Sequence, residues 1–282
     1  METMTFTNSK GQSVALGNDA PFVLVKTEGT GEVRTDIQSQ KSPQQDGVSY
    51  LDNTLEPRVL SAEIMILGNG INEIARYRKK LTQVFNPKLG PGQLTYQLGD
   101  VEREIEAISE LSPVFPNAGD FKDCMQPGLI QLYCPNPYWE DISVNDIEIV
   151  SWIGGLTFPL VLPTQFAMAG ENKINIINTG HVETPVKIKI HGPATNPKIE
   201  NTLTGEFIRV NRFVEAGKTL IVTTDFGNKR VEIDGVSVFH YIDLETTFFS
   251  LCVGDNVIEM TTEDVNDNAK ITIEYRNRYV GV

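Results

Sequence analysis

Apolar residues recur at every second position along most of the chain. In Arg58-Val-Leu-Ser-Ala-Glu-Ile-Met-Ile-Leu67, the residues Leu60, Ala62, Ile64 and Ile66 fall on one face, with Arg58, Ser61 and Glu63 among the outward or flanking positions. Leu94, Tyr96 and Leu98 alternate in the same way, as do Val186, Ile188 and Ile190 around Lys187 and Lys189, and Ile271, Ile273 and Tyr275. A period of two marks half-buried strands. Turn formers bound these runs: Gly90-Pro-Gly92, Gly192-Pro193, Asn196-Pro197, Gly227-Asn228 and Asp234-Gly235.

One segment has a different period. Ile71, Ile74, Arg78, Leu81 and Phe85 lie on a 3.6-residue stripe with Val84 beside it, which predicts a helix over 70–85. Asn69 is placed to cap it and Asn86-Pro87 to end it. Arg76, Lys79 and Lys80 share the other side and form the one concentrated positive patch. Two readings of that patch stand: a solvated face with cations near a helix C-terminus, or a docking face for an acidic neighbour.

Residues 27–52 are polar and read as a long hairpin or loop outside the core. Further on, Pro135 and Pro137 in Tyr133-Cys-Pro-Asn-Pro-Tyr-Trp-Glu140 stop sheet pairing. Strands then resume with no second helix. The expected architecture is mainly β with one helix, in two domains, 1–142 and 143–282. The first is an α+β unit that combines strands with the helix and the polar hairpin or loop; the second, with many short strands at close spacing, is a β-sandwich or jelly roll.

Length agrees with two domains, since 282 residues compare with about 150 per domain. The chain carries 24 Lys and Arg against 37 Asp and Glu, a formal net charge of −13. That balance opposes a broad grip on nucleic acid or docking on anionic lipid. No secretory signal pattern opens the chain, and its longest apolar runs, 158–162 and 248–253, are only strand-sized. The three cysteines, Cys124, Cys134 and Cys252, include no Cys-x-x-Cys pair and read as buried apolar residues.

Searches for chemistry return little. Gly68-Asn-Gly70 precedes the helix, but Glu73 stands where a phosphate loop needs its third glycine. His181, His191 and His240 lack metal-ligand spacing. Asp264, Asn266 and Asn268 begin like a calcium loop, yet Ala269 replaces its glycine and Tyr275 its closing glutamate. Glu102, Glu104 and Glu106 share one strand face, opposite Val101, Ile105 and Ala107. Such neighbours sit at a glycosidase-like separation, but a catalytic acid needs an apolar pocket, so a solvated face is the better reading. There is no Gly-x-Ser-x-Gly elbow. Trp139 and Trp152 flank the passage between the halves, fit either for packing or for a sugar-stacking shelf. No catalytic, metal or cofactor residue is predicted. A carbohydrate-binding sandwich is the alternative to a structural protein.

The ordered set of segments carries a resemblance. Glu63-Ile-Met-Ile-Leu-Gly68, the helix with Arg76 and Leu81, Phe85-Asn-Pro87, Gly90-Pro-Gly-Gln-Leu-Thr-Tyr96 and Leu132-Tyr-Cys-Pro-Asn-Pro-Tyr-Trp139 resemble the N-terminal half of the siphophage distal tail protein family. Thr184-Pro-Val-Lys-Ile-Lys-Ile-His-Gly192, Asn196-Pro-Lys-Ile-Glu-Asn201, Thr204-Gly-Glu206 and Gly254-Asp-Asn-Val-Ile258 look like its C-terminal galectin-like sandwich. The resemblance implies a hexameric ring at the tail tip, assembled in the host cytoplasm. The first domain, a β-sandwich with helix and long hairpin, would build the ring, with the polar hairpin contacting neighbours. The second would project outward, where receptor-binding proteins attach. The two faces of the ring would meet the tail tube protein and the tail-tip protein, and DNA would pass without specific binding. Some relatives carry an inserted carbohydrate-binding module, for which this chain has no room.

Overall fold

The computed structural model describes residues 2–117, 123–150, 152–153, 168–169, 172–264, 267 and 269–282. They form two compact units, one reaching to Ile142 and including Tyr279–Val282, the other spanning Ser143–Arg278. The last four residues therefore leave the sandwich half. They are held in the first unit by its own hydrogen bonds: Arg58 donates to the Val280 carbonyl, and the Val282 N–H donates to the Thr30 carbonyl.

In the first unit the strand order is Ser13–Leu16, Glu2–Thr7, Gly92–Leu98, Val101–Ser109, Met125–Cys134, Arg58–Leu67 and Phe22–Glu28. The two end strands meet: the Gly17 N–H donates to the Phe22 carbonyl, and the Leu24 N–H donates to that of Gly17. The sheet thus curls into two halves that face one another across the core. Alternation decides which side chains enter it. Met4, Phe6, Leu60, Ile64, Ile66, Leu94, Ile105 and Leu132 are all buried, each contributing about 1.5–3 kcal/mol of apolar transfer.

Helix α1 runs Ile71–Val84 and packs on this core through Ile74, Leu81 and Val84. Phe85, just past its end, stacks on Phe6 with ring centres 4.9 Å apart. Its start differs from expectation. Gly70, not Asn69, is the N-cap and supplies no side chain; instead the Glu73 carboxylate reaches back and accepts from the Asn69 backbone N–H at 2.9 Å and its amide at 3.1 Å. The Asn69 backbone donor holds the Glu73 carboxyl below its ordinary range, helped by the Tyr77 hydroxyl. The buried stripe is also narrower than the period suggested. Ile71 is exposed in the open first turn, and Arg78 is exposed with its guanidinium 4.6 Å from the Phe115 ring centre. The last turn holds no basic residue, so the macrodipole does not account for Lys79 and Lys80.

The second unit is a two-sheet sandwich. One sheet orders Asn145–Val150, Lys270–Tyr275, Lys187–His191, Thr219–Thr223, Arg230–Ile233 and Val236–Ser237; the other orders Lys173–Asn178, Gly254–Thr261, Lys198–Asn201 and Glu206–Arg209. Ile188, Ile190, Val222 and Ile271 from the first meet Ile176, Ile199, Ile208 and Ile258 from the second. The predicted outward positions Lys187 and Lys189 both reach Glu274 on the adjacent strand. Burial pushes the Glu274 carboxyl up, but the two ammonium groups outweigh it and hold it low. Asp234 and Gly235 both take positive φ, 48° and 81°, as a tight two-residue hairpin requires. The apolar run 158–162 and the loop residues Asn266 and Asn268 lie outside the described residues. No described helix is long and apolar enough to cross a membrane.

Candidate functional site

The most distinctive surface is the polar segment of the first unit. Thr27 and Glu28 belong to the barrel strand Phe22–Glu28, paired with Arg58–Leu67. Beyond them, Thr35–Gln40 and Ser49–Leu55 pair with each other as a separate two-stranded sheet. Directly opposed residues project to one side. Ile37 faces Asn53, Ser39 faces Tyr50 and Thr35 faces Leu55, so one side carries Ile37, Tyr50 and Leu55 interspersed with Thr35, Ser39 and Asn53. Asp36 faces Thr54 and Gln38 faces Asp52 on the other side. A bulge at Leu51 reverses the alternation between Tyr50 and Asp52. Ile37, Val48, Tyr50 and Leu51 are each about 60% exposed. A lone hairpin is marginal in water, and one with an uncovered apolar side is unfinished as a folded surface.

The base of this hairpin is held by Arg58, which the sequence reading set among outward or flanking positions. Its parity is that of Leu60 and Ile64, and it points inward with 1% exposure. Its Nε donates to the Pro137 carbonyl at 2.9 Å, and Nη1 to those of Gly29 at 2.6 Å and Glu32 at 2.9 Å. Nη2 donates to Val280. Desolvation lowers its pKa, with Cys134 and Glu32 opposing the shift. Trp139 is fully buried beside it, with Arg58 Cζ 6.0 Å from the ring centre, and donates Nε1–H to the Thr30 carbonyl at 3.0 Å. That removes the sugar-shelf reading for Trp139. The side chain of Trp152 lies outside the described residues.

Arg76, Lys79 and Lys80 stand together on the exposed side of α1. Arg76 pairs with Glu73 at 2.8 Å, and the Lys80 ammonium lies 5.7 Å from the Phe22 ring centre. On the barrel's outer surface, Glu102, Glu104 and Glu106 oppose Gln97, Thr95 and Gln93, which in turn oppose Thr3, Thr5 and Thr7. Glu140 pairs opposite Glu104. None of these outward positions is Lys or Arg. The three glutamates therefore edge a broad hydroxyl and amide face, not an apolar cleft.

Groups of acidic, His and Cys residues able to hold a metal do not occur among the described residues. Cys134 alone is buried, and burial pushes its thiol up to about 12. Cys124 and Cys252 are exposed, contrary to the buried reading, because they lie at strand ends and turns.

The chain is thus a β-rich scaffold of two units whose hairpin exposes Ile37, Val48, Tyr50 and Leu51. Two family models match it in order: the phage tail protein RIFT-related domain over residues 9–134, and the siphovirus-type tail component C-terminal domain over residues 179–279. The SPP1 Dit (gp 19.1) protein, described as a paradigm of the hub adsorption apparatus in Gram-positive-infecting phages, has a similar fold, with TM-score 0.72, 14% identity and 99% of each chain covered. A chain of the phage P2 baseplate in its activated conformation is similar with TM-score 0.54 and 12% identity, over 100% of this chain and 99% of that one. No curated protein sequence matches. The chain belongs to the siphophage distal tail protein family and is a structural tail component.

Proposed function

We propose that six copies of this chain close into a ring at the tail tip, joining the tail tube protein to the tail-tip protein. The observation that carries the reading is the 35–55 hairpin, whose apolar side is exposed on the single chain. A heterologous contact repeated around a rotation axis covers such a side in every copy at once. In this reading the hairpin lies on the neighbouring first unit, and Arg76, Lys79 and Lys80 meet an acidic surface there. The sandwich half is left for receptor-binding proteins. Its role is structural, not enzymatic.

The acidic balance fits a channel that DNA traverses without sticking. The Thr, Gln and Glu face of the barrel, free of Lys and Arg, suits that lining through repulsion of phosphate. Assembly takes place in the host cytoplasm before the ring joins the virion tail. Negative-stain imaging and light scattering of the purified protein test the proposal. Six-fold rings are expected; a monomer at every concentration, with and without tail tube protein, overturns it.

A further inference from the structure

We infer that Arg58 and the 279–282 segment form a latch that fixes how the 35–55 hairpin leaves the first unit. Among the described residues the hairpin's two strands pair only with each other, so its direction is set at its base. Three parts of the chain distant in sequence converge there. Arg58 gathers the carbonyls of Gly29 and Glu32 before the hairpin, Pro137 in the proline passage and Val280 near the end. Every one of these bonds ends on a backbone oxygen, so the guanidinium positions main chain and not another side chain.

The 279–282 segment closes the other side. The Val282 N–H donates to the Thr30 carbonyl, which also receives the Trp139 indole N–H. Gly281 lies so close to Gly31 that a Cβ there would stand 2.8 Å from the Gly31 carbonyl oxygen. Gly29 completes the joint: its φ is +89°, and a Cβ would meet the Val59 carbonyl at 2.1 Å. Residues 29–32 are thus clamped between a buried cation and a returning strand end. Losing Arg58 takes the donor from the buried Gly29 carbonyl, and pushing Gly281 away from Gly31 opens the opposite side of the hairpin base.

Hydrogen exchange read by mass spectrometry tests the latch on the full chain, with Arg58→Met removing the donors and Gly281→Ala wedging the opposite side. Each is expected to raise exchange over 29–40 and 49–55 by about tenfold or more, while strands 60–66 and 94–98 stay protected. Unchanged hairpin exchange in both variants overturns the latch, and so does exchange that rises equally in the barrel strands. If Arg58→Met does not fold, Gly281→Ala decides by the same criterion. The inference concerns the single chain, so it stands or falls separately from ring formation.

Discussion

The guanidinium of Arg103 lies 3.9 Å from the ring centre of Tyr279 and 3.0 Å from an Asp141 carboxylate oxygen. Arg103 is on the strand Val101–Ser109, with Asp141 at the end of the first unit's continuous chain and Tyr279 on its returning segment. One planar cation thus satisfies a carboxylate at its edge and an aromatic ring at its face. Replacing Arg103 by Ala is expected to destabilise the first unit by about 1–3 kcal/mol. Arg103→Lys keeps the charge but loses the planar stack, and should fall between the two. Urea unfolding of the three proteins checks the order.

The hairpin predicts a separation between fold and assembly. Ile37→Asp with Tyr50→Asp places two charges on the exposed apolar side. Neither residue belongs to the buried core, so unfolding free energy should change by about 0.5 kcal/mol or less per site. Ring formation should be lost, because the same side then has to desolvate carboxylates. Light scattering and a urea melt of one preparation read both outcomes.

The helix patch predicts a salt-dependent effect. Arg76→Glu, Lys79→Glu and Lys80→Glu together reverse the exposed side of α1 without touching Ile74, Leu81 or Val84. If that side meets an acidic surface, each lost pair is worth about 0.2–1 kcal/mol, and the difference shrinks as salt screens it. Sedimentation at low and high ionic strength should show wild-type and variant assembly converging. A variant that assembles like the wild type at low salt would leave the patch as a solvated helix face.

Much of this architecture was readable because burial follows parity. Leu60, Ile64 and Ile66, or Ile188 and Ile190, are inward where the period placed them. The failures come where local rules meet a distant partner. Arg58 has inward parity, but its charge argued for solvent; five backbone carbonyls from three parts of the chain make its burial possible. Asn69 looked like a cap, yet Glu73 four residues on supplies the bond from the opposite direction. The hairpin's apolar side was hidden by one extra residue. Strict alternation puts Tyr50 with Asp52, whereas the bulge at Leu51 sends them to opposite sides and joins Tyr50 to Ile37. Closure of the barrel through Gly17 and Phe22 has no pattern of its own in the sequence.

Alkaline pH should weaken the first unit selectively. The Tyr96 phenol is pushed from 10.0 up to about 12, first by burial and then by its hydrogen bond to Glu2, which accepts at 2.9 Å. The Cys134 thiol is pushed from 9.0 up to about 12 by burial, partly opposed by Arg58. In each case the unfolded chain releases its proton at lower pH than the folded one. Between about pH 9 and pH 12 the unfolded state therefore binds fewer protons, and stability falls as pH rises. Below that window both states are protonated and the two groups add no pH dependence. Tyr96→Phe combined with Cys134→Ala removes both titrations. The double variant should start less stable near neutrality, through the lost Glu2 bond and a small cavity, yet lose less stability per pH unit above 9. Urea unfolding across that range gives the two slopes. Thiol labelling gives an independent reading: Cys124 and Cys252 should react quickly and Cys134 only on unfolding, since both its burial and its scarcity of thiolate protect it.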